Sequence, residues 1–503
     1  MTHLNVNASC LNELSELRLN RLIVLKELVI GDGSLNGLNE LRLDGLNALE
    51  RVVIGSNSLK RVGEGHVMRV EACSRLRSVV IGDQSLTHYS VLTISGVPLL
   101  EEIRIGSSSF VDLSALRLDG LSGLERVVIG SNSMTSVEGI FSLTNCSSVV
   151  SLRVGAGSMK GFKRIEVASV PSLEVIEIGS SSFSNVNALS LIGLSGLKRV
   201  VVGENSLVNR EGDFSVRDCA SVKEVCIGNG SMKSFRSITV EGVPSLEVVE
   251  MGSNSFANVN ALSLSGLSGL KRVVVGSSSF SNKNGAFSVV NCTSLESVEI
   301  GASSMGLYSA LSVDNAPSLE VLSIGSSAFK NVDALRLNGL SKLKRVEISA
   351  DSFTNKEGVF ELKNCASVSE LLVGDNGMKS FKSVEIVGVP SLETIRVGDE
   401  CFANVNEVDL EGLSGLKRMV VGMNSFTLKK NGYGNDPTRG FSLRNCTALT
   451  TLEVGRFSFS DYSTCVIEGV NALEAIGIGD LNEKSYNFYA ASLELKSGRG
   501  CSG

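Results

Sequence analysis

A motif of apolar residue, any residue, apolar residue and glycine recurs along this chain at an almost fixed interval, and that recurrence limits the possible folds most. The glycine, taken as a rung, falls at Gly31, Gly55, Gly82, Gly106, Gly130, Gly155, Gly179, Gly203, Gly228, Gly252, Gly276, Gly301, Gly325, Gly374, Gly398, Gly422, Gly455 and Gly479, with Ser349 filling one place. Successive rung numbers differ mostly by 24 or 25; the exceptions are 27 before Gly82 and 33 before Gly455. Leu173 to Leu194 is one unit: Ile176 and Ile178 precede Gly179, Ser182 and Phe183 follow, and a second alternation, Leu189 and Leu191, closes it. Residues two apart on a strand face the same way, so Ile176 and Ile178 share one side and Glu177 takes the other. No single unit can bury that apolar edge, so neighbours must stack and share a core. The second alternation is too short and too rich in Gly and Ser for a helix, and reads as another strand. The expectation is one continuous β-rich solenoid over 1–479, with an incomplete first coil from about residue 11 and a cap and tail over 480–503. Its coils would form a parallel sheet with little or no helix, about 90 Å long at ~4.8 Å per coil.

The repeat resembles the leucine-rich-repeat family, whose motif places Leu at strand positions and Asn in the turn that follows. Asn57, Asn132, Asn205, Asn254 and Asn424 stand at that Asn position, whereas most coils carry Ser or another small residue there. That departure is similar to the BspA-like repeats expanded in protists and bacteria. The resemblance covers roughly residues 11–479 and implies a right-handed coil lined by a parallel sheet; it implies nothing about a ligand. A longer period overlies the first. Three flavours of coil alternate, so that related rungs recur at every third coil, at 130, 203, 276, 349 and 422. This pattern points to growth of the gene by duplication of triplets.

Composition excludes several functions. The net charge is −6 with 20% charged residues, so no bulk charge favours nucleic acid or an anionic membrane. Apolar runs such as Val52-Val53-Ile54 fall far short of the ~20 residues of a membrane span. The start, Met1 to Asn7, lacks the pattern of a signal peptide, which gives a cytoplasmic expectation if the chain is complete there.

The residues that could carry chemistry each have a structural explanation. Cys73, Cys146, Cys219, Cys292 and Cys365 recur with the triplet period, and Cys446 follows at a slightly longer step. Each lies nine before a rung, where Val170 or Leu194 stands in other coils, so the thiols point into the core. Three coils separate them by about 14 Å, too far for a disulfide, and no histidines complete a zinc site. Reduced core thiols fit a reducing compartment. Asn7, Asn145, Asn291 and Asn445 head glycan acceptor patterns, three of them containing the core cysteine itself. The serines before the apolar turn residue, such as Ser58, Ser182 and Ser279, read as turn caps. The only histidines, His3, His66 and His88, cannot serve a ladder of nucleophiles. Phe183, Phe256, Phe280, Phe329, Phe353, Phe402, Phe426 and Phe459 are expected to stack as an internal spine. The expectation is a non-enzymatic chain with no cofactor, no metal and no small-molecule substrate.

The outward strand positions hold the functional clue. Four before the rung, every third coil carries Arg: Arg51, Arg126, Arg199, Arg272, Arg345 and Arg418. Two before it, the same coils mostly carry Val: Val53, Val128, Val201, Val274 and Val420. Exposed Val beside Arg, repeated along a sheet, suits a protein-binding face. The competing reading is a merely solvated face, because Lys198, Lys271, Lys344 and Lys417 stand one coil after Glu174, Glu247, Glu320 and Glu393 and would pair across neighbouring strands. Two segments break the period. The polar stretch 427–440 reads as a loop projecting from the coil, and Asp480 to Leu495 reads as a cap over the last edge. Two functions stay open: a protein-binding scaffold, and a surface or secreted antigen-like repeat protein whose targeting signal lies upstream of this chain.

Overall fold

The computed structural model describes residues 1–63, 65–136 and 138–496, and its chain divides into two compact units. Met1–Leu246 with Asn254–Asn258 form the first, and Glu247–Ser253 with Val259–Gly503 the second. Both are parallel β-solenoids, and no helix occurs among the described residues. The strand leading into each rung pairs in register with its counterpart one coil on. In the first unit, Val175–Ile178 pairs with Arg199–Val202, matching Ile176 to Val200 and Ile178 to Val202. In the second, Val321–Ile324 pairs with Arg345–Ile348 in the same manner. Each unit contributes a run of such strands, here called the first face.

The alternation read from sequence is the burial pattern observed. Ile176 and Ile178 are buried while Val175 and Glu177 are half-buried. Each fully buried aliphatic side chain contributes about 1.5–3 kcal/mol, which no coil could realise without a neighbour above and below. The rung glycines follow from that stacking. A Cβ at Gly82 would lie 2.6 Å from the Ser56 amide nitrogen, so side chains are excluded where consecutive coils touch backbone to backbone. Beyond the rung the chain turns through two left-handed residues, as at Asn57 (φ 58) and Leu59 (φ 56) or Ser181 (φ 58) and Phe183 (φ 51).

The second alternation forms strands as expected, such as Ala188–Ile192 and Ala334–Asn338, on a second face. There the sheet is interrupted. In the first unit Arg164–Ala168 ends one ladder and Ala188–Ile192 begins another; in the second, breaks follow Ala310–Asp314 and Ser383–Val387.

Three segments are more regular than the repeat alone predicts. His3–Val6 is a full strand paired with Glu27–Ile30, so coiling begins ahead of residue 11; Asn7 takes the rung place and hid that coil. The 427–440 insertion is largely exposed but tied down. It folds back on the next coil, the Leu428 amide donating to Asp461 Oδ2 at 3.1 Å and the Asp436 amide to the Asp461 carbonyl at 2.9 Å. Residues 480–496 form a further coil, with Ser492–Lys496 pairing with Tyr462–Glu468. Its Phe488 stacks on Phe459 at 5.0 Å, and Leu493 and Leu495 are 58% and 60% exposed.

Candidate functional site

The interior accounts for most residues that carry reactive groups. Cys73, Cys146, Cys219, Cys292, Cys365 and Cys446 are fully buried, and each thiol faces a backbone carbonyl of the preceding coil, as Cys292 does that of Leu264 at 3.5 Å. Burial pushes all six thiols up from their ordinary value, Cys446 to about 11. A raised thiol pKa means little thiolate, the form that attacks or binds metal. Cys10 and Cys226 are half-buried. Among the described residues no three His, Cys, Asp or Glu side chains converge to hold a metal ion.

The serine column does more than cap its own turn. Ser182 is fully buried; its hydroxyl donates to the Gly155 carbonyl at 2.9 Å and accepts from the Ser158 amide at 3.3 Å. Ser58, Ser85, Ser109, Ser133 and Ser206 repeat this arrangement, knitting successive coils through their turns. Such bonds satisfy backbone groups that burial would otherwise orphan. Asn57, Asn132, Asn205 and Asn254 are exposed, one residue ahead of the buried column, where a left-handed backbone favours Asn. Asn424 alone of that set is buried.

The aromatic spine forms in segments. Phe402, Phe426, Phe459 and Phe488 stack at centroid distances of 5.1, 4.9 and 5.0 Å, and Phe329 stacks on Phe353 at 5.8 Å. Elsewhere Leu and Met interleave, and a ring such as Phe183 meets Phe141 instead, at 6.3 Å.

The outward side of the first face bears the residues expected to bind. Arg126, Arg199, Arg272, Arg345 and Arg418 are all exposed, but each is held by a carboxylate on its own or a neighbouring strand. Arg199 Nε lies 2.9 Å from Glu224, and Arg272 sits between Glu250 and Glu299, 3.4 Å from each. Arg345 joins Glu347 at 3.2 Å and Glu370 at 3.6 Å, Arg418 joins Glu453 at 2.9 Å, and Arg126 lies 3.7 Å from both Glu102 and Glu125. Val128, Val201, Val274 and Val420 are half-buried between neighbouring strands, a correction to the exposed apolar row read from sequence. The cause is the coil-to-coil register, which sets each Val beside a longer side chain, as Val201 beside Glu177. The Glu partners were legible only as one more outward charge until the register fixed their neighbours.

The Lys–Glu pairs also form. Lys198 meets Glu174 at 2.6 Å, Lys271 meets Glu247 at 2.8 Å, Lys344 meets Glu320 at 2.7 Å and Lys417 meets Glu393 at 2.9 Å. The lysines are exposed and the glutamates exposed or half-buried, so solvent screens each pair.

No protein-family model matches the chain. No curated protein matches it in sequence. Among solved structures, it is similar to a leucine-rich repeat protein from Bacteroides ovatus at 12% identity, over 88% of each chain, with a TM-score of 0.21. The assignment as a parallel β-solenoid rests on the strand ladders of this chain itself.

Proposed function

We propose that the protein is a non-enzymatic scaffold that binds another protein along the outward side of its first face. The supporting observation is the repeated set of an arginine pinned by a glutamate with a half-buried apolar residue two positions on. In the second unit Arg272 with Val274 and Arg418 with Val420 carry it, and Arg345 supplies the arginine between them. Ion pairing holds each long side chain out in a defined pose, which lowers the ordering cost of meeting a partner. Identical contacts at fixed spacing let an extended partner engage several at once, so affinity grows by linkage rather than by any single contact.

The test uses a partner captured by the intact chain. Changing Arg272 alone to Ala should alter affinity little. Changing Arg272, Arg345 and Arg418 together should weaken it more than tenfold, on the order of 1.4 kcal/mol or more. Lys271→Ala with Lys344→Ala serves as the control that touches neighbouring charge without the set. Undiminished binding by a folded triple variant would remove the first face from consideration and direct attention to the 427–440 insertion.

A further inference from the structure

The interruptions in the second face share one period. In the first unit the ladder thins to a single bridge, Leu92 to Leu116, and breaks after Arg164–Ala168. In the second it breaks after Ala310–Asp314 and after Ser383–Val387. Leu92 and Ile165 stand one triplet period apart, and so do Leu311 and Val384. On the first face the ladders pass these same points intact: Ser151–Val154 pairs with Val175–Ile178, Ser297–Ile300 with Val321–Ile324 and Glu370–Val373 with Thr394–Val397. Each interruption is therefore a seam on one side of the coil.

The inward residue just before each full seam is poorly covered. Ile165, Leu311 and Val384 are half-buried, whereas Leu189, Leu335 and Val408 on the far side are 1–2% exposed. An aromatic residue stands seven after the rung in every coil that precedes one of these interruptions: Tyr89, Phe162, Tyr308 and Phe381. Three of these rings lie back over a glycine of the preceding coil, at Gly139, Gly285 and Gly358, where a Cβ would overlap the ring. Tyr308 also reaches back two coils, its hydroxyl donating to the Val259 carbonyl at 2.8 Å. The coil is thus drawn toward its predecessor. The following coil has Leu113, Val186, Val332 or Val405 at the matching place. The coil after Tyr462 is a natural control. It offers only Ala491 at the matching place, but Tyr462 lies against Arg439 and not over a glycine, and there the second-face ladder continues from Tyr462–Glu468 to Ser492–Lys496. A groove of about 500 Å³, lined by Ile165, Glu166, Asn187, Ser190 and Ile192 among others, marks the seam after Arg164–Ala168.

We propose that each unit flexes at these seams, so that it moves as blocks of three or four coils joined by the first face alone. Within a block both faces carry ladders and resist shear. At a full seam only one face does, and opening the other side breaks no ladder bond there. Relative motion of adjacent blocks changes the curvature of the first face without disturbing its strand register. This inference stands whether or not that face binds a protein.

The test is dipolar EPR on nitroxide pairs placed on outward second-face positions of the full chain, with Cys10, Cys226 and Cys501 changed to Ser. Arg336→Cys with Glu385→Cys spans two coil steps inside one block. Glu361→Cys with Asp409→Cys spans two steps but crosses the seam after Ser383–Val387. The seam-crossing pair should show a wider distance distribution with a tail to longer separations. A second comparison guards against a variant that fails to fold: Arg117→Cys with Glu166→Cys inside a block, and Ser142→Cys with Ser190→Cys across a seam. Equal widths for the in-block and seam-crossing pairs of correctly folded protein would overturn the proposal.

Discussion

The hydroxyl of Ser182 is bonded on two sides by backbone groups of the preceding coil and the turn before it, at 2.9 and 3.3 Å. Removing it orphans a buried carbonyl and a buried amide, so Ser182→Ala should cost about 1–3 kcal/mol in urea unfolding. The chain already contains the reverse experiment. Ala328 occupies the serine column, and the Ser304 amide, which would have met its hydroxyl, donates at 3.3 Å to the Gly301 carbonyl of its own turn instead. Ala328→Ser should therefore raise stability by about 1 kcal/mol, and a loss on the same measurement would refute the account of the column. Sequence revealed that this serine was structural but not what it joined. A turn cap and an inter-coil bond use the same residue at the same place, and only the stacking distance separates them.

Among elements, the 427–440 insertion shows how local composition can mislead. Its Lys, Gly, Asn and Pro content predicts a solvated loop, yet Arg439 within it is almost fully buried. Arg439 takes the place that Gly139, Gly212, Gly285 and Gly358 hold in other triplets, beneath the aromatic residue of the next coil. The added length lets the chain approach by another route, so a guanidinium fits where a glycine was required. It lies 4.8 Å from the Tyr462 ring centroid, pairs with buried Asp461 at 3.3 Å and donates to the Ala403 and Val405 carbonyls at 2.8 Å each. Arg439→Ala leaves the Asp461 carboxylate buried without its cation, and should cost about 3–5 kcal/mol in denaturant unfolding. A loss under about 1 kcal/mol would show that water replaces the guanidinium there. By contrast, the Lys–Glu pairs were legible to the residue, because an offset of one coil in sequence is a neighbour relation in space. The seams were not, since Leu-x-Leu alternation reads alike in every coil. Their signal lies in a pairing between coils, a glycine answered by an aromatic in the next coil, as at Gly139 and Phe162.

At the scale of the whole molecule, each coil packs chiefly on its immediate neighbours, so a defect should stay local within its unit. Leu197 is fully buried beneath Arg199–Val202, and Leu197→Ala should cost about 2–5 kcal/mol of local stability. Hydrogen exchange should quicken in Val175–Ile178, Arg199–Val202 and Glu224–Ile227 while Glu27–Ile30 keeps its protection. Uniform acceleration across the first unit would instead mark it as one cooperative block. The turns carry a different consequence. Coil after coil places a pair of residues in the left-handed region, and at Ser181, Ser278 and Ser303 the occupant is a serine, with φ between 58 and 59. That region is the mirror image of ordinary helical backbone, and it is where a D-amino acid rests most comfortably. A chemically assembled version of this solenoid could therefore take D-serine at those places in every coil. The result would be a regular alternation of chirality along one edge, a way to make the chain resist proteases that read only L-residues without altering the face it presents.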